Sequence, residues 1–295
     1  MFKQILIATR FGNLVIMGLA QWLSLSAFTL YNFHSKLLII AATVLIGFAG
    51  YIINDYIDQE IDKINRPDKN LFLKANFKKW GLLIYGVLNL MGLAIGFLIN
   101  YELLILFGAI EVALLLYSWL LKGKAVIGNF TAALIQAAVF FPCLITSSDV
   151  AFSIIPGWHA PIYTIEAIFL HVIILFAFLT AFFREWVKDI EDREGDESQG
   201  LKTSAIIFSE NANRLALKAV AVLLILLVSA FTILLFNKEF FSGGVLSYFY
   251  LFLILPLSLR SLIMVIKQKE HEEWAKLSQW LKMIMLAGVL SIGII

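Results

Sequence analysis

The chain is poor in the residues that cross-link or charge a soluble domain. Its 295 residues include one cysteine, Cys143, which excludes an intrachain disulfide and a multi-cysteine metal site. Cys143 lies in an apolar run, where a packed, inert thiol is expected. Asp, Glu, Lys and Arg together make up only 15% of the chain, whereas hydrophobic residues reach 61%. That balance is far from the composition of a soluble domain and points to a membrane as solvent. The net charge is +2, and the basic residues are scattered between apolar runs, so nothing indicates a nucleic-acid partner. No low-complexity tract interrupts the pattern, and residues 1–295 read as one helical domain.

What the sequence has in abundance is long apolar runs. A helix crossing a bilayer needs about 20 mostly apolar residues. Runs of that kind fall at 12–31, 37–56, 81–99, 102–121, 126–147, 162–184, 215–236, 245–266 and 277–295. The expected fold is therefore all-α, a polytopic membrane bundle of about nine transmembrane helices. Lys3 and Arg10 precede the first run, but that run has the length of a full crossing and lacks a small-residue cleavage site, so it reads as a span.

Nine spans sort the charges cleanly. All of the 23 basic residues except Lys36 and Lys238 fall on one side, in the N-terminus and around 57–80, 122–125, 184–218 and 260–282. Short cytoplasmic loops carry such an excess, which puts the N-terminus in the cytoplasm and the C-terminus outside, in an inner or plasma membrane. The segments on that side are long and polar, whereas the opposite turns, such as Asn100–Glu102, are short. Chemistry is expected on the cytoplasmic face.

Two acidic clusters stand at that face. The second span leads into Asn54-Asp55-Tyr56-Ile57-Asp58-Gln59-Glu60-Ile61-Asp62, with carboxylates at i, i+3 and i+7. The sixth leads into Asp189-Ile190-Glu191-Asp192-Arg193-Glu194-Gly195-Asp196, with the same spacing. At about 100° per residue, such a triplet occupies one helix face within an arc of roughly 60°. Stacked carboxylates repel unless a cation lies between them. Mg²⁺ is held by one or two carboxylates, with water and phosphate oxygens completing its shell. Two facing clusters thus suit a diphosphate bound through metal ions, and ionisable groups at a membrane boundary are functional more often than decorative.

These residues resemble the UbiA superfamily of intramembrane prenyltransferases. Asn54, Asp55, Asp58 and Asp62 match its N-D-x-x-D-x-x-x-D motif in full, followed by Asn65-Arg66-Pro67. Asp189, Asp192 and Asp196 correspond to its second motif, trailed by Gly200-Leu201-Lys202-Thr203. Tyr117-Ser118-Trp119-Leu120-Leu121-Lys122 looks like the family's Tyr and Lys at the end of the fourth span, one residue longer than the tightest version. Asn13 resembles a position facing the cavity. The resemblance implies a Mg²⁺-dependent transfer of an isoprenyl group from a prenyl diphosphate to a lipophilic acceptor. It implies Asp55, Asp58, Asp62, Asp192 and Asp196 as metal ligands, and Asn13, Asn54, Arg66 and Lys122 as substrate contacts. Tyr117 and Asp189 are the candidate catalytic residues, Asp189 as base or as a further ligand.

The second cluster looks most like the branch that transfers a geranylgeranyl group to geranylgeranylglyceryl phosphate. An aromatic acceptor of the 4-hydroxybenzoate type is the alternative, and an ion-coupled transporter is the reading from a different class. Partners are expected to be the diphosphate, the acceptor and membrane lipid, with no obligatory protein partner inferred. His34, His159, His171 and His271 have no metal-ligand spacing, and an inter-helix hydrogen bond is expected for His171. Glu111 and Gln136 face either the acceptor or a neighbouring helix. Arg184 and Lys188 fit phosphate contact or the charge bias alone. Gly200–Asn213 is expected to form a short interfacial helix over the site, and the 25 Phe residues can wall a cavity.

Overall fold

In the computed structural model, residues 10–65, 70–73, 75–146, 165–237, 244–267 and 272–294 are described. Arg66, His159, His271 and the expected start of the sixth span lie outside them. Among the described residues nine helices are long and apolar enough to cross a membrane. These are α1 (Phe11–Phe28), α2 (Phe33–Ile57), α4 (Gly81–Ile99), α5 (Tyr101–Leu121), α6 (Ile127–Ile145), α7 (Ile165–Glu191), α10 (Glu210–Phe236), α11 (Val245–Lys267) and α12 (Glu272–Ile292). Among the short helices between them are α3 (Gln59–Asn65), α8 (Arg193–Ser198) and α9 (Ser204–Ile207). Among the described residues the one β-bridge is the isolated pair Lys124 and Lys202.

Several helices run beyond their apolar windows, because hydropathy ends at the first charges while the backbone ladder continues. α7 extends to Glu191, and α10 begins at Glu210, where the Ser209 side chain caps its first turn. Asn32 and Asn100 cap α2 and α5 by accepting from Ser35 and Leu103 N–H at 2.9 and 2.7 Å. Such caps satisfy amide donors that the first turn leaves without partners.

The spans close a ring. α2 packs on α1 and α4, α7 on α6, α10 and α12, and α12 returns to α1. The buried core joins these helices through Phe169, Phe183, Leu217, Leu224 and Ile284. Leu90, Phe97, Leu98, Ile233 and Phe252 point outward, as expected of a lipid-facing surface. Several hydroxyls inside the spans return hydrogen bonds to their own helix, as Thr180 does to the Phe176 carbonyl at 2.7 Å. His171 Nδ1 lies 2.6 Å from the Ala167 carbonyl one turn earlier.

One contact in the α5–α6 turn positions the site. A Cβ on Gly128 would stand 2.7 Å from the Leu121 carbonyl oxygen and 2.9 Å from that of Lys122, both rigid backbone. Gly86→Ala, with nothing within 4 Å, meets no such obstacle. We expect Gly128→Ala to displace the turn and cut turnover by about tenfold or more, as sub-ångström misplacement of catalytic groups does. Gly86→Ala should keep activity and gain up to about 1 kcal/mol in helix propensity. Activity and thermal melting in detergent check both.

Candidate active site

A cavity of about 710 Å³ opens at the end of the bundle where α2, α5 and α7 finish. Its wall comes from α1, α2, α5, α6, α7 and α12 and from the segments that follow α2, α5 and α7. One end is polar, with Asp58, Asp62, Lys122, Asp189, Asp192 and Asp196. The remainder is apolar, with Ile46, Phe107, Phe140, Ile173, Phe176 and Met285 among its lining residues. Such a space suits a ligand with an anionic head and a hydrocarbon tail.

The two acidic motifs share a local design. α2 ends at Ile57 and α3 begins at Gln59, with Asp58 between them at φ −85°, ψ 11°. α7 ends at Glu191 and α8 begins at Arg193, with Asp192 between them at φ −93°, ψ 4°. Both values lie in the sparsely allowed bridge region. Helical bonding continues across each break, since Asp62 N–H donates to Asp58 O at 2.8 Å and Asp196 N–H to Asp192 O at 3.1 Å. The expected single helix face is therefore bent at its middle carboxylate. α3 and α8 pack together, which brings the third carboxylates, Asp62 and Asp196, to one cavity.

The surroundings of each carboxylate differ. Asp58 accepts from Lys122 Nζ and, at 2.6 Å, from Asn54 Nδ2. Asp62 accepts from Asn70 Nδ2 at 2.9 Å, and burial raises its pKa. Asp196 is pushed up to about 6 by burial, with Lys122 opposing the shift and Asp192 and Asp58 adding to it. Asp55 is set apart from the other motif carboxylates: it does not line the cavity but binds Arg10 Nη2 at 2.7 Å and Leu71 N–H at 3.0 Å. Asn70 Nδ2 also donates to the Asp55 carbonyl at 2.7 Å, so this carboxylate organises the chain behind the wall. Asp189 lines the cavity and accepts from Asn129 Nδ2 at 2.9 Å and Ser204 N–H at 3.3 Å.

Tyr117 and Lys122 reach the same cavity because α5 closes with a π-helical turn, Tyr117–Leu121. Lys122 N–H bonds the Tyr117 carbonyl at 2.8 Å, an i to i−5 link. That turn absorbs the extra residue between the tyrosine and the lysine, consistent with the functional use of π-bulges. The chain then turns through Val126 at φ 62°, a strained conformation for a β-branched residue. Val126 N–H donates to Ser204 Oγ at 2.9 Å, Ser204 Oγ to Asn129 Oδ1 at 2.7 Å, and Lys202 N–H to Gly123 O at 3.0 Å. This network ties the segments after α5 and α7 to Asp189. The expected interfacial helix over Gly200–Asn213 is instead the single turn α9, because α10 already begins at Glu210.

Sequence reasoning passed over two residues on this wall. Glu185 is buried, 7% exposed, and binds Gln136 Nε2 at 3.0 Å, Lys188 Nζ at 3.0 Å and Arg184 Nη1 at 3.3 Å. Extending the acidic period one turn back from Asp189 would have found it. Lys282 of α12 lines the cavity and donates to Asn13 Oδ1 at 2.6 Å. Its position inside an apolar run was the signal, hidden when it was counted only as loop charge.

The residues present fit a Mg²⁺–diphosphate pair. Among the described residues no three His, Cys, Asp or Glu side chains converge to hold an ion by themselves. Mg²⁺ takes one or two carboxylates and completes its shell with phosphate oxygens and water. Buried Thr203 Oγ1, Ser118 Oγ and Arg184 Nε line the cavity without hydrogen-bond partners, three donors available to an anion.

Fold and cavity together define an integral membrane helical bundle whose acidic, lysine-bearing mouth leads to an apolar chamber. The chain belongs to the UbiA prenyltransferase family, whose model matches residues 14–286, and it is a prenyltransferase. It is 28% identical over 265 residues to digeranylgeranylglyceryl phosphate synthase of Methanosphaera stadtmanae, spanning 88% of this chain and 87% of that protein. A solved structure described as digeranylgeranylglyceryl phosphate synthase in membranes superposes with a TM-score of 0.70 at 24% identity, over 99% of this chain and 97% of that one. A UbiA homolog from Archaeoglobus fulgidus bound to GPP and Mg²⁺ superposes with a TM-score of 0.65 at 14% identity, over 98% and 99% of the two chains.

Asp196 carries a testable pH signature. Its folded pKa of about 6 exceeds the usual 3.8, so the ionised form costs stability above that range and protonation relieves the cost as pH falls. A divalent ion held by Asp196 would compete with protons for its carboxylate. The Mg²⁺ concentration needed for half-maximal activity should rise below pH 6, towards about tenfold per pH unit for one proton displaced. Asp196→Asn should flatten that dependence, which Mg²⁺ titrations from pH 5 to 8 would reveal.

Proposed function

We propose that the chain transfers a geranylgeranyl group from geranylgeranyl diphosphate to the free hydroxyl of geranylgeranylglyceryl phosphate, in one catalytic unit formed by residues 1–295. The observation that carries this reading is the placement of Asp58, Asp62, Asp192, Asp196 and Lys122 at the polar end of one apolar cavity. The relatives named digeranylgeranylglyceryl phosphate synthase support the choice of acceptor.

Asp58, Asp62, Asp192 and Asp196 would hold Mg²⁺ with the diphosphate, while Asp55 orders Arg10 and the 70–73 segment behind them. Mg²⁺, when bound, neutralises the charge that grows on the leaving diphosphate. Lys122 leaves Asp58 for a phosphate oxygen, Asn54 keeps Asp58 oriented, and Arg66 contributes further positive charge. The allylic C–O bond breaks with its electron pair going to diphosphate, and preorganised cations make that charge separation favourable. The Tyr117 ring faces the allylic cation, and the apolar wall keeps water from it. The acceptor oxygen forms the new C–O bond and releases its proton to Asp189, which Asn129 and Ser204 hold in place.

The decisive assay uses purified protein in detergent with Mg²⁺, radiolabelled geranylgeranyl diphosphate and either geranylgeranylglyceryl phosphate or 4-hydroxybenzoate. Label should move into the glyceryl phosphate. Asp58→Ala, Asp192→Ala and Lys122→Ala should each lower kcat by about 10²-fold or more. Label appearing in the aromatic acceptor alone would overturn the acceptor assignment, and an intact donor across a wider panel would overturn the reaction.

The positive charge bias puts this mouth in the cytoplasm of a plasma or inner membrane. With Cys143 replaced by alanine, a cysteine at Gln199 in intact cells should resist a membrane-impermeant thiol reagent, whereas one at exposed Leu30 should react. The reverse pattern would invert the topology.

A further inference from the structure

We infer that Phe176 of α7, seated in the notch left by Gly288 of α12, is the floor of the apolar chamber and sets the length of prenyl chain the enzyme accepts. This inference rests on the proposed transfer of a geranylgeranyl group and adds what fixes the length of that group, whichever acceptor is used.

The two residues meet where the ring of helices closes. α7 and α12 pack together, and Phe176 and Gly288 are both buried residues of the cavity wall. A Cβ on Gly288 would run into Cε1 of the Phe176 ring and stand 2.9 Å from its Cδ1 and 3.1 Å from its Cζ. The ring therefore rests against the α12 backbone and can retreat no further from the chamber. Buried Phe107, Phe140 and Ile173 join it in the lining. One turn beyond Ile173, buried Phe169 packs on Phe28 and Phe231 with ring centroids 5.9 and 5.1 Å away, and none of these three lines the cavity. The chamber stops short of that aromatic layer.

The depth of this floor suits a tail of definite length. Phe176 precedes Asp189 by thirteen residues on one continuous helix, a depth of about 20 Å at a rise of about 1.5 Å per residue. A four-unit prenyl tail has the backbone length of a common acyl chain, which in its disordered state fills one leaflet, about 15 Å of bilayer. Extended, such a tail spans the chamber. A shorter one leaves the lower part unfilled, and a longer one meets the Phe176 ring. The acidic mouth cannot make this distinction, because the diphosphate and the carbon bonded to it are the same in every donor. Length has to be read in the chamber, where close packing makes even one added methylene felt.

The test is kcat/KM of the full chain in detergent with Mg²⁺ for donors of two, three, four and five isoprene units, in wild type, Gly288→Ala, Phe176→Leu and the double variant. Wild type should favour the four-unit donor and fall by about tenfold or more at five units, a readout that needs no variant to fold. Gly288→Ala pushes the ring into the chamber, so its ratio of four-unit to three-unit kcat/KM should drop about tenfold. Phe176→Leu lowers the floor and should raise the five-unit to four-unit ratio by about the same factor. Adding Phe176→Leu to Gly288→Ala should restore most of the four-unit preference, a coupling that general loosening of the core would not produce. Equal use of four- and five-unit donors by wild type, or one length profile shared by all four proteins, would overturn the floor and leave the transfer reaction intact, with the tail passing out into lipid. A wild-type optimum at another length would overturn the geranylgeranyl assignment, and the floor then stands or falls on whether the two single variants move that optimum down and up. Donors left intact at every length would overturn both.

Discussion

The constraint on which the rest of the structure depends is the repulsion among carboxylates gathered at the end of an apolar bundle. Asp58, Asp62, Asp189, Asp192 and Asp196 line one cavity, where a low dielectric magnifies every charge. The fold answers with groups placed between them. Lys122 binds Asp58, Asn70 binds Asp62, and Asn129 with Ser204 holds Asp189. These contacts offset part of the repulsion and leave capacity for a cation–anion pair. Burial raises the Asp196 pKa to about 6, and the neighbouring Asp192 and Asp58 add to the shift.

Much of the local backbone serves that arrangement. The breaks at Asp58 and Asp192 turn two helix ends inward, so that α3 and α8 meet over the cavity. The π turn rotates α5 at its last residues, which lets Tyr117 and Lys122 share one wall. The left-handed Val126 and the close approach of Gly128 then return the chain into α6. Each feature is locally unfavourable or restrictive, and each sits within a few residues of a side chain that handles charge. Strain of this kind clusters where geometry has to be held against the preferences of the chain.

The cavity also divides its cations. Lys122 stands with Asp58 at the acidic mouth, whereas Arg10 lies over the Tyr51 ring, Arg184 beside Glu185 and Lys282 against Asn13.

By itself the sequence determined the class of solvent, the number of spans and the two aspartate motifs. Bilayer thickness sets a length that apolar runs must reach, and carboxylates at i, i+3 and i+7 share a helix face whatever surrounds them. Only the tertiary structure decided which carboxylates reach the cavity, since Asp55 and Asp58 carry the same motif yet Asp55 binds Arg10. It also decided that Glu185, Gln136 and Lys282 belong to the wall, and that 200–213 is held by Ser204 and is not one helix. Those outcomes depend on contacts between residues far apart in the chain, such as Lys282 with Asn13 and Asp189 with Asn129. A local pattern carries no information about a partner that only the closing of the ring of helices brings near.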